Sequence, residues 1–262
     1  MGAAITKGLL EKKVIPSKSL EIVDVNPNAS KHLKKKYNLN INNSVPSEWD
    51  GNAIILAVKP NIIDQVTDQI NFDNKNLDLI ISIAAGKKIA NLSNLLSGYK
   101  NIVRVMPNIA SEIGMGMSAA YTKNVLPKKS KSFVEKLFSS IGEILWLNKE
   151  SEMDIVTAIS GSGPAYVFLL IESLVSAGML NGLSKEFSMK LALMTVKGAG
   201  ALAYHSDTTD PPKSPKQLRD SVTSPNGTTE AALKILMKND VFLKLIEKAI
   251  KNAKERSVEL AK

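Results

Sequence analysis

Two stretches of the chain set hydroxyl side chains and glycines where helices begin, a pattern that can hold an anion. Ser160-Gly161-Ser162-Gly163-Pro164-Ala165-Tyr166 reads as a Gly/Ser loop running into a helix opened by Pro164. Asp220-Ser221-Val222-Thr223-Ser224-Pro225-Asn226-Gly227-Thr228-Thr229 is a second such loop, also leading into a helix. The first amides of a helix lack intrahelical partners and carry partial positive charge, so each loop can cradle a carboxylate or a phosphate. Plain N-capping by Ser162, Thr228 or Thr229 is the alternative. Three further turns, Ala57-Val58-Lys59-Pro60, Ala84-Ala85-Gly86 and Met106-Pro107-Asn108, each follow an apolar run. Small residues and proline there let a flat ligand approach the backbone, or simply allow tight turns.

Composition removes other chemistries. Cysteine is absent, which excludes disulfides, thiolate zinc sites and cysteine nucleophiles. The only histidines, His32 and His205, have no partner at ligand spacing, so no metal is expected. The net charge of +9 comes from 31 Lys and three Arg. Base and phosphate readers favour the arginine fork, so nucleic acid is disfavoured as a partner. Lys31, Lys34 and Lys35, and again Lys244, Lys248 and Lys251, read as solvated helix faces. With 44% apolar and 23% charged residues the chain is an ordinary globular one. No apolar run reaches the ~18 residues of a membrane span, so no membrane partner is expected. Met1-Gly2-Ala3-Ala4-Ile5 shows no signal peptide, and a cytoplasmic location is expected.

The elements that must position these turns differ between the halves. In residues 1–150, apolar runs at Leu20–Val25, Ala53–Val58, Leu79–Ile83 and Ile102–Met106 alternate with helix-like segments at Ala3–Lys12, Ala29–Tyr37, Ile62–Ile70 and Ile89–Leu96. That pattern indicates a parallel sheet covered on both faces, with ligands beyond the carboxyl ends of its strands. Met117–Tyr121 and Ile144–Leu147 flank a further helix at Ser130–Ser140. Residues 151–262 carry helical signals instead: Pro164–Leu180, Lys185–Tyr204 capped by Ser184, Thr228–Met237 and Phe242–Leu260, with a proline-rich loop at Asp207–Pro215. Several of these helices are apolar on more than one face, which predicts a subunit interface. The expected fold is therefore α/β: a dinucleotide-binding-type domain over 1–150 and an all-α domain over 151–262.

Ala-Val-Lys-Pro at 57–60, Ala-Ala-Gly at 84–86, Arg-Val-Met-Pro-Asn at 104–108, Ser-Gly-Ser-Gly-Pro-Ala-Tyr at 160–166 and Leu-Arg-Asp-Ser-Val-Thr-Ser-Pro-Asn-Gly-Thr-Thr at 218–229 together resemble the pyrroline-5-carboxylate reductases, in order over nearly the whole chain. The departures are specific. Met1–Gly8 resembles the family's first helix, entered midway through its G-x-G-x-x-G turn with only Gly2, the last glycine, kept. By that pattern the first Rossmann strand and about ten residues are missing, so a start at Met1 is expected to shorten a functional enzyme. Asn226 stands where the family has the first glycine of S-P-G-G-T-T, and Asn is the non-glycine residue that best tolerates φ > 0. Ile109-Ala110 replaces Thr-Pro, and the Asp207–Pro215 loop reads a few residues longer.

The resemblance implies a Rossmann-like domain with a helical dimerisation domain, and reduction of a cyclic imino acid, 1-pyrroline-5-carboxylate, to proline by a nicotinamide in the last step of proline biosynthesis. It assigns Gly2, Asn26, Ala57, Val58, Lys59, Pro60, Ala84, Ala85 and Asn108 to the cofactor. Ser224 with the backbone N–H groups of Gly227 and Thr228 would hold the substrate carboxylate, and Thr229 the ring nitrogen as the catalytic contact. NADP is the expected cofactor and NAD the alternative. Asp24 near the second strand's end would suit a ribose 2′-OH, or could serve only as a turn residue, while Asn26 and Lys31 follow it. A homodimer, assembling further into a ring of dimers, is implied. The competing readings are a related dehydrogenase for another small acid or imine, and a catalytically impaired helical oligomer without cofactor.

Overall fold

A computed structural model describes residues 1–46, 49–70 and 76–261. The chain forms two compact units, Met1–Ser162 with Ala253–Lys262, and Gly163–Asn252. This differs from the expected division at 150. Met153 and Ala158 are each about 1% exposed within the first unit, and Ser257 donates to the Asp154 carboxylate at 2.7 Å, so both segments stay with the sheet.

The first unit opens with α1 (Gly2–Glu11), β1 (Glu21–Val23), α2 (Pro27–Tyr37) and β2 (Asn40–Asn42). It continues through β3 (Ala53–Leu56), α3 (Ile63–Thr67), β4 (Leu79–Ser82), α4 (Ile89–Leu95) and β5 (Ile102–Pro107). The last elements before the unit boundary are β6 (Gly116–Thr122), α5 (Lys128–Ser139), β7 (Gly142–Trp146) and α6 (Glu152–Val156). β1 pairs in parallel with β2, while β3-β4-β5-β6-β7 form a separate five-stranded sheet. Among the described residues no strand joins β1 to β3, the place where the family pattern puts a first strand.

The larger sheet is not parallel throughout. β3, β4 and β5 are parallel, but β6 runs antiparallel to β5 before β7 joins it in parallel. Only residues 108–115 separate β5 from β6, and they hold a short 3₁₀ turn, Ile109–Ile113, and Gly114 at φ 76°. A parallel return needs a crossover of a dozen residues or more, whereas α5 supplies one between β6 and β7.

Side chains alternate across the central strands. Leu79, Ile81, Val103 and Val105 pack with Ile5 and Leu9 of α1 and with Val134, Leu137 and Phe138 of α5. Ile80 and Ile102 face the other layer, where Ile63 of α3 and Ile89 and Leu92 of α4 close over them. Burial on both faces explains why these strands read as unbroken apolar runs. Arg104 in β5 is buried and pairs with Glu150 at 3.0 Å. The same Glu150 oxygen accepts the Ile89 N–H at 2.7 Å, so one carboxylate ties the strand to the start of α4.

The second unit is helical: α7 (Gly163–Leu180), α8 (Lys185–Asp207), α9 (Pro215–Ser221), α10 (Thr228–Leu236) and α11 (Val241–Leu260), whose last turns belong to the first unit. Ser184 caps α8, its hydroxyl accepting the Phe187 N–H at 3.2 Å. α9 was not expected; Ser214 and Gln217 form a capping box that starts it at Pro215, inside a stretch read as loop. In this unit few side chains are buried, and Phe168, Leu170, Phe187, Leu191, Met194 and Leu245 lie exposed. The helical stretch Glu152–Leu180, 29 residues, is long and apolar enough to cross a membrane by length and composition. That corrects the expectation that no segment is.

Candidate active site

The strand-end turns of the first unit gather small residues and exposed backbone. Gly2 begins α1 with no side-chain cap on its first amides, and a Cβ there would sit 3.4 Å from the Ala57 methyl at the end of β3. Ala57, Lys59 and Pro60 are exposed, and Val58 is half-buried against the α3–α4 layer. Pro60 opens the 3₁₀ turn Pro60–Ile62. After β4, Ala84 is buried, Ala85 exposed, and Gly86 adopts φ 75°. A side chain at Gly86 would come within 2.9 Å of the Leu260 carbonyl, so the end of α11 closes on this turn.

After β1, the Asn26 N–H donates to the Asp24 carboxylate at 2.9 Å, the geometry of a turn residue. Asn108 has its side-chain amide committed within the protein. Its nitrogen donates to the Ser160 carbonyl at 3.2 Å and the Ser160 hydroxyl at 3.3 Å, and its oxygen accepts the Met117 N–H at 3.2 Å. Ser160 and Gly161 are not loop, as their composition suggested. Thr157–Gly161 is a π-type turn in which the Ser162 N–H reaches the Thr157 carbonyl at 2.8 Å. Such turns are frequent at functional positions.

The remaining expected site residues lie in the second unit. Ser224-Pro225-Asn226-Gly227 is a four-residue turn closed by the Gly227 N–H donating to the Ser224 carbonyl at 3.0 Å. Pro225 followed by Asn226 at φ 58° is the type II pattern, so asparagine does take the left-handed position of the missing glycine. The Gly227 N–H, which the resemblance assigns to the carboxylate, bonds within the turn in this structure. Gly227 is instead the N-cap residue of α10, without a side-chain cap, which leaves the starting amides of Thr228 and Thr229 without intrahelical acceptors. Ser224 and Thr228 are exposed and Thr229 half-buried.

Glu230, in the first turn of α10, lies just beyond the motifs that carry the resemblance. Its carboxylate accepts the Asn226 N–H at 2.6 Å and pairs with Lys234 at 3.4 Å, which together hold it below the usual carboxyl range. A glutamate three residues after an N-cap is a legible capping signal that could have flagged it. Arg104–Glu150 had no such signal, because its partners are far apart in sequence. Among the described residues no group of three or more His, Asp or Glu could hold a metal ion.

A family profile described as pyrroline-5-carboxylate reductase dimerisation matches residues 150–260, and one described as NADP oxidoreductase coenzyme F420-dependent matches residues 1–86. The pyrroline-5-carboxylate reductase of Synechocystis is 33% identical over 265 residues, spanning 100% of this chain and 95% of that protein. The chain belongs to the pyrroline-5-carboxylate reductase family. The Pseudomonas aeruginosa reductase is 40% identical over 212 residues, 81% of this chain and 76% of that protein. The crystal structure of the Plasmodium falciparum pyrroline carboxylate reductase with NADP bound superposes with a TM-score of 0.82 at 34% identity, covering 100% of this chain and 95% of that one. Membership in the reductase family makes the chain an oxidoreductase with a Rossmann-like domain and a helical dimerisation domain.

Proposed function

We propose that the chain reduces 1-pyrroline-5-carboxylate to L-proline with NAD(P)H, and that NADPH is the preferred donor. The observation that carries this reading is the 224–229 loop: a closed turn delivering two threonines to an uncapped helix start.

The first unit fits a dinucleotide. The start of α1 offers uncapped amides to a phosphate. Ala57 and Ala85 are exposed small residues that let a flat group approach the strand-end backbone, and Asn108 ties the π-type turn to the end of β5. When bound, the nicotinamide supplies the hydride. NADPH preference is supported by the exposed Lys31 on α2, a cation suited to a 2′-phosphate.

On the substrate side, Ser224 and the Thr228 N–H hold the carboxylate at the positive end of α10. The Thr229 hydroxyl meets the ring nitrogen and orients the C=N bond. A cyclic imine is basic and binds already protonated in large part, so orientation is the main task and no strong acid is needed. The exposed apolar helices of the second unit are covered by a second copy of the chain rather than by lipid, and the dimers assemble further into a ring.

The test is a panel of cyclic imines with and without a carboxylate, assayed with NADPH and NADH. The reading predicts turnover of the five-membered imino acid, preference for NADPH, and a higher KM after Ser224→Ala. Equal turnover of an imine lacking the carboxylate would remove the loop from the active site.

A further inference from the structure

The structure assigns Glu230 a positioning role: its carboxylate latches the Asn226 backbone and so holds the 224–227 turn in the shape that presents the substrate-binding loop. This deepens the function proposed above and rests on its reading that the loop receives the imino-acid carboxylate.

Three observations combine. Asn226 occupies the left-handed region at φ 58°, which an L-residue adopts at a cost that glycine does not bear. The turn is closed on one side by the Gly227 N–H bonding to Ser224, and a Cβ at Gly227 would collide with the Ser224 hydroxyl. Ser224, Asn226 and Gly227 therefore cannot shift independently. On the other side, the Asn226 N–H would face solvent but for the Glu230 oxygen at 2.6 Å.

Glu230 is well placed for this task. It lies on the first turn of α10, where a negative charge is favoured by the helix N-terminus, and it is two-thirds covered. Lys234, one turn on, pairs with its second oxygen and leaves the first for Asn226. The carboxylate reaches back past the N-cap residue to the amide before it. It thereby secures the left-handed residue of the turn rather than the helix alone. The chain thus compensates within four residues for having asparagine where its family has glycine.

The experiment uses the full-length protein with Glu230→Ala, Glu230→Gln, Asn226→Gly and the Glu230→Ala/Asn226→Gly double variant. Glutamine keeps an acceptor oxygen and alanine does not. Glu230→Ala is expected to raise KM for 1-pyrroline-5-carboxylate about tenfold, with kcat and NADPH affinity within about twofold of wild type. Glu230→Gln should restore KM to within about threefold of wild type. In the Asn226→Gly background the alanine effect should shrink, because glycine takes the left-handed position unaided. Hydrogen–deuterium exchange of peptides covering 222–229 is read on the protein without substrate. Exchange should accelerate in Glu230→Ala and not in Glu230→Gln. Unchanged exchange and KM in Glu230→Ala, or equal defects in both variants, would overturn the latch. If wild type does not reduce this imino acid, the functional reading fails, and the exchange comparison alone decides the latch.

Discussion

Asn108 and Ser160 are 52 residues apart in sequence, yet one side-chain amide at the end of β5 donates to both the carbonyl and the hydroxyl of Ser160. The reason lies four residues further on. The α-helical donor for the Ser160 carbonyl would be residue 164, which is proline and has no N–H. Asn108 supplies the donor that Pro164 cannot, so the Met-Pro-Asn and Ser-Gly-Ser-Gly-Pro motifs are two halves of one hydrogen-bonding arrangement.

Replacing Asn108 by alanine should therefore strand the Met117 N–H and the Ser160 carbonyl together. Both groups are part-buried, and a loss of roughly 1–3 kcal/mol is expected. Denaturant melts measure it directly. NADPH affinity should fall as well, since the π-type turn would no longer be tied to the strand end. Wild-type stability and affinity in Asn108→Ala would show that the contact is dispensable.

Gly86 is held to glycine twice over, by φ 75° and by the Leu260 carbonyl 2.9 Å from any Cβ. The left-handed conformation alone costs an L-residue roughly 1–2 kcal/mol, and the carbonyl is backbone, which cannot swing aside like a side chain. Gly86→Ala should lower the melting temperature and weaken NADPH binding more than Ala85→Ser, whose position is exposed. Fluorescence titration of both variants decides between them.

Much of the fold was legible because burial on both faces makes Leu79–Ile83 and Ile102–Met106 continuous apolar runs that few other structures explain. β2 was not, since Asn40-Ile41-Asn42 carries a single apolar residue and is a strand only through its pairing with β1. The direction of β6 depended on the brevity of the 108–115 connection, which local propensity does not weigh. Ser160–Ser162 read as loop because serine and glycine usually punctuate, and only the distant Asn108 amide reverses that. The turn at 224–227 leading into a helix was legible from its residue order. The use of the Gly227 N–H to close its own turn depended on Asn226 taking φ 58°.

The acid limit of the loop has a definite sign. Glu230 lies below its ordinary 4.5 because its ionised form accepts the Asn226 N–H, with Lys234 adding to the effect. A carboxyl with a lowered folded-state pKa contributes stability above its unfolded value and loses it as pH falls through the folded one. The melting-temperature advantage of wild type over Glu230→Ala should thus be constant from about pH 5 to 8 and shrink below about pH 4. An advantage that persists undiminished in stronger acid would mean the carboxylate charge is not what binds.

Assembly follows from the second unit, where Phe168, Phe187, Leu191 and Met194 are exposed in the single chain. A stable interface of ~2,000 Å² or more should cover them, and dissociation should accompany unfolding. Light scattering at micromolar concentration should find a dimer or a multiple of one. A folded monomer there would contradict the proposed interface.

The most direct measurement follows the hydride itself. Purified protein is given 1-pyrroline-5-carboxylate and NADPH deuterated at the transferred position, and the product is identified by mass spectrometry and NMR. The expected result is L-proline with one deuterium on the former imine carbon, in amount equal to the NADPH consumed. Thr229→Ala should lower kcat/KM roughly 10- to 100-fold with NADPH affinity retained. NADPH binding without proline formation, or proline carrying no deuterium, would contradict the assignment.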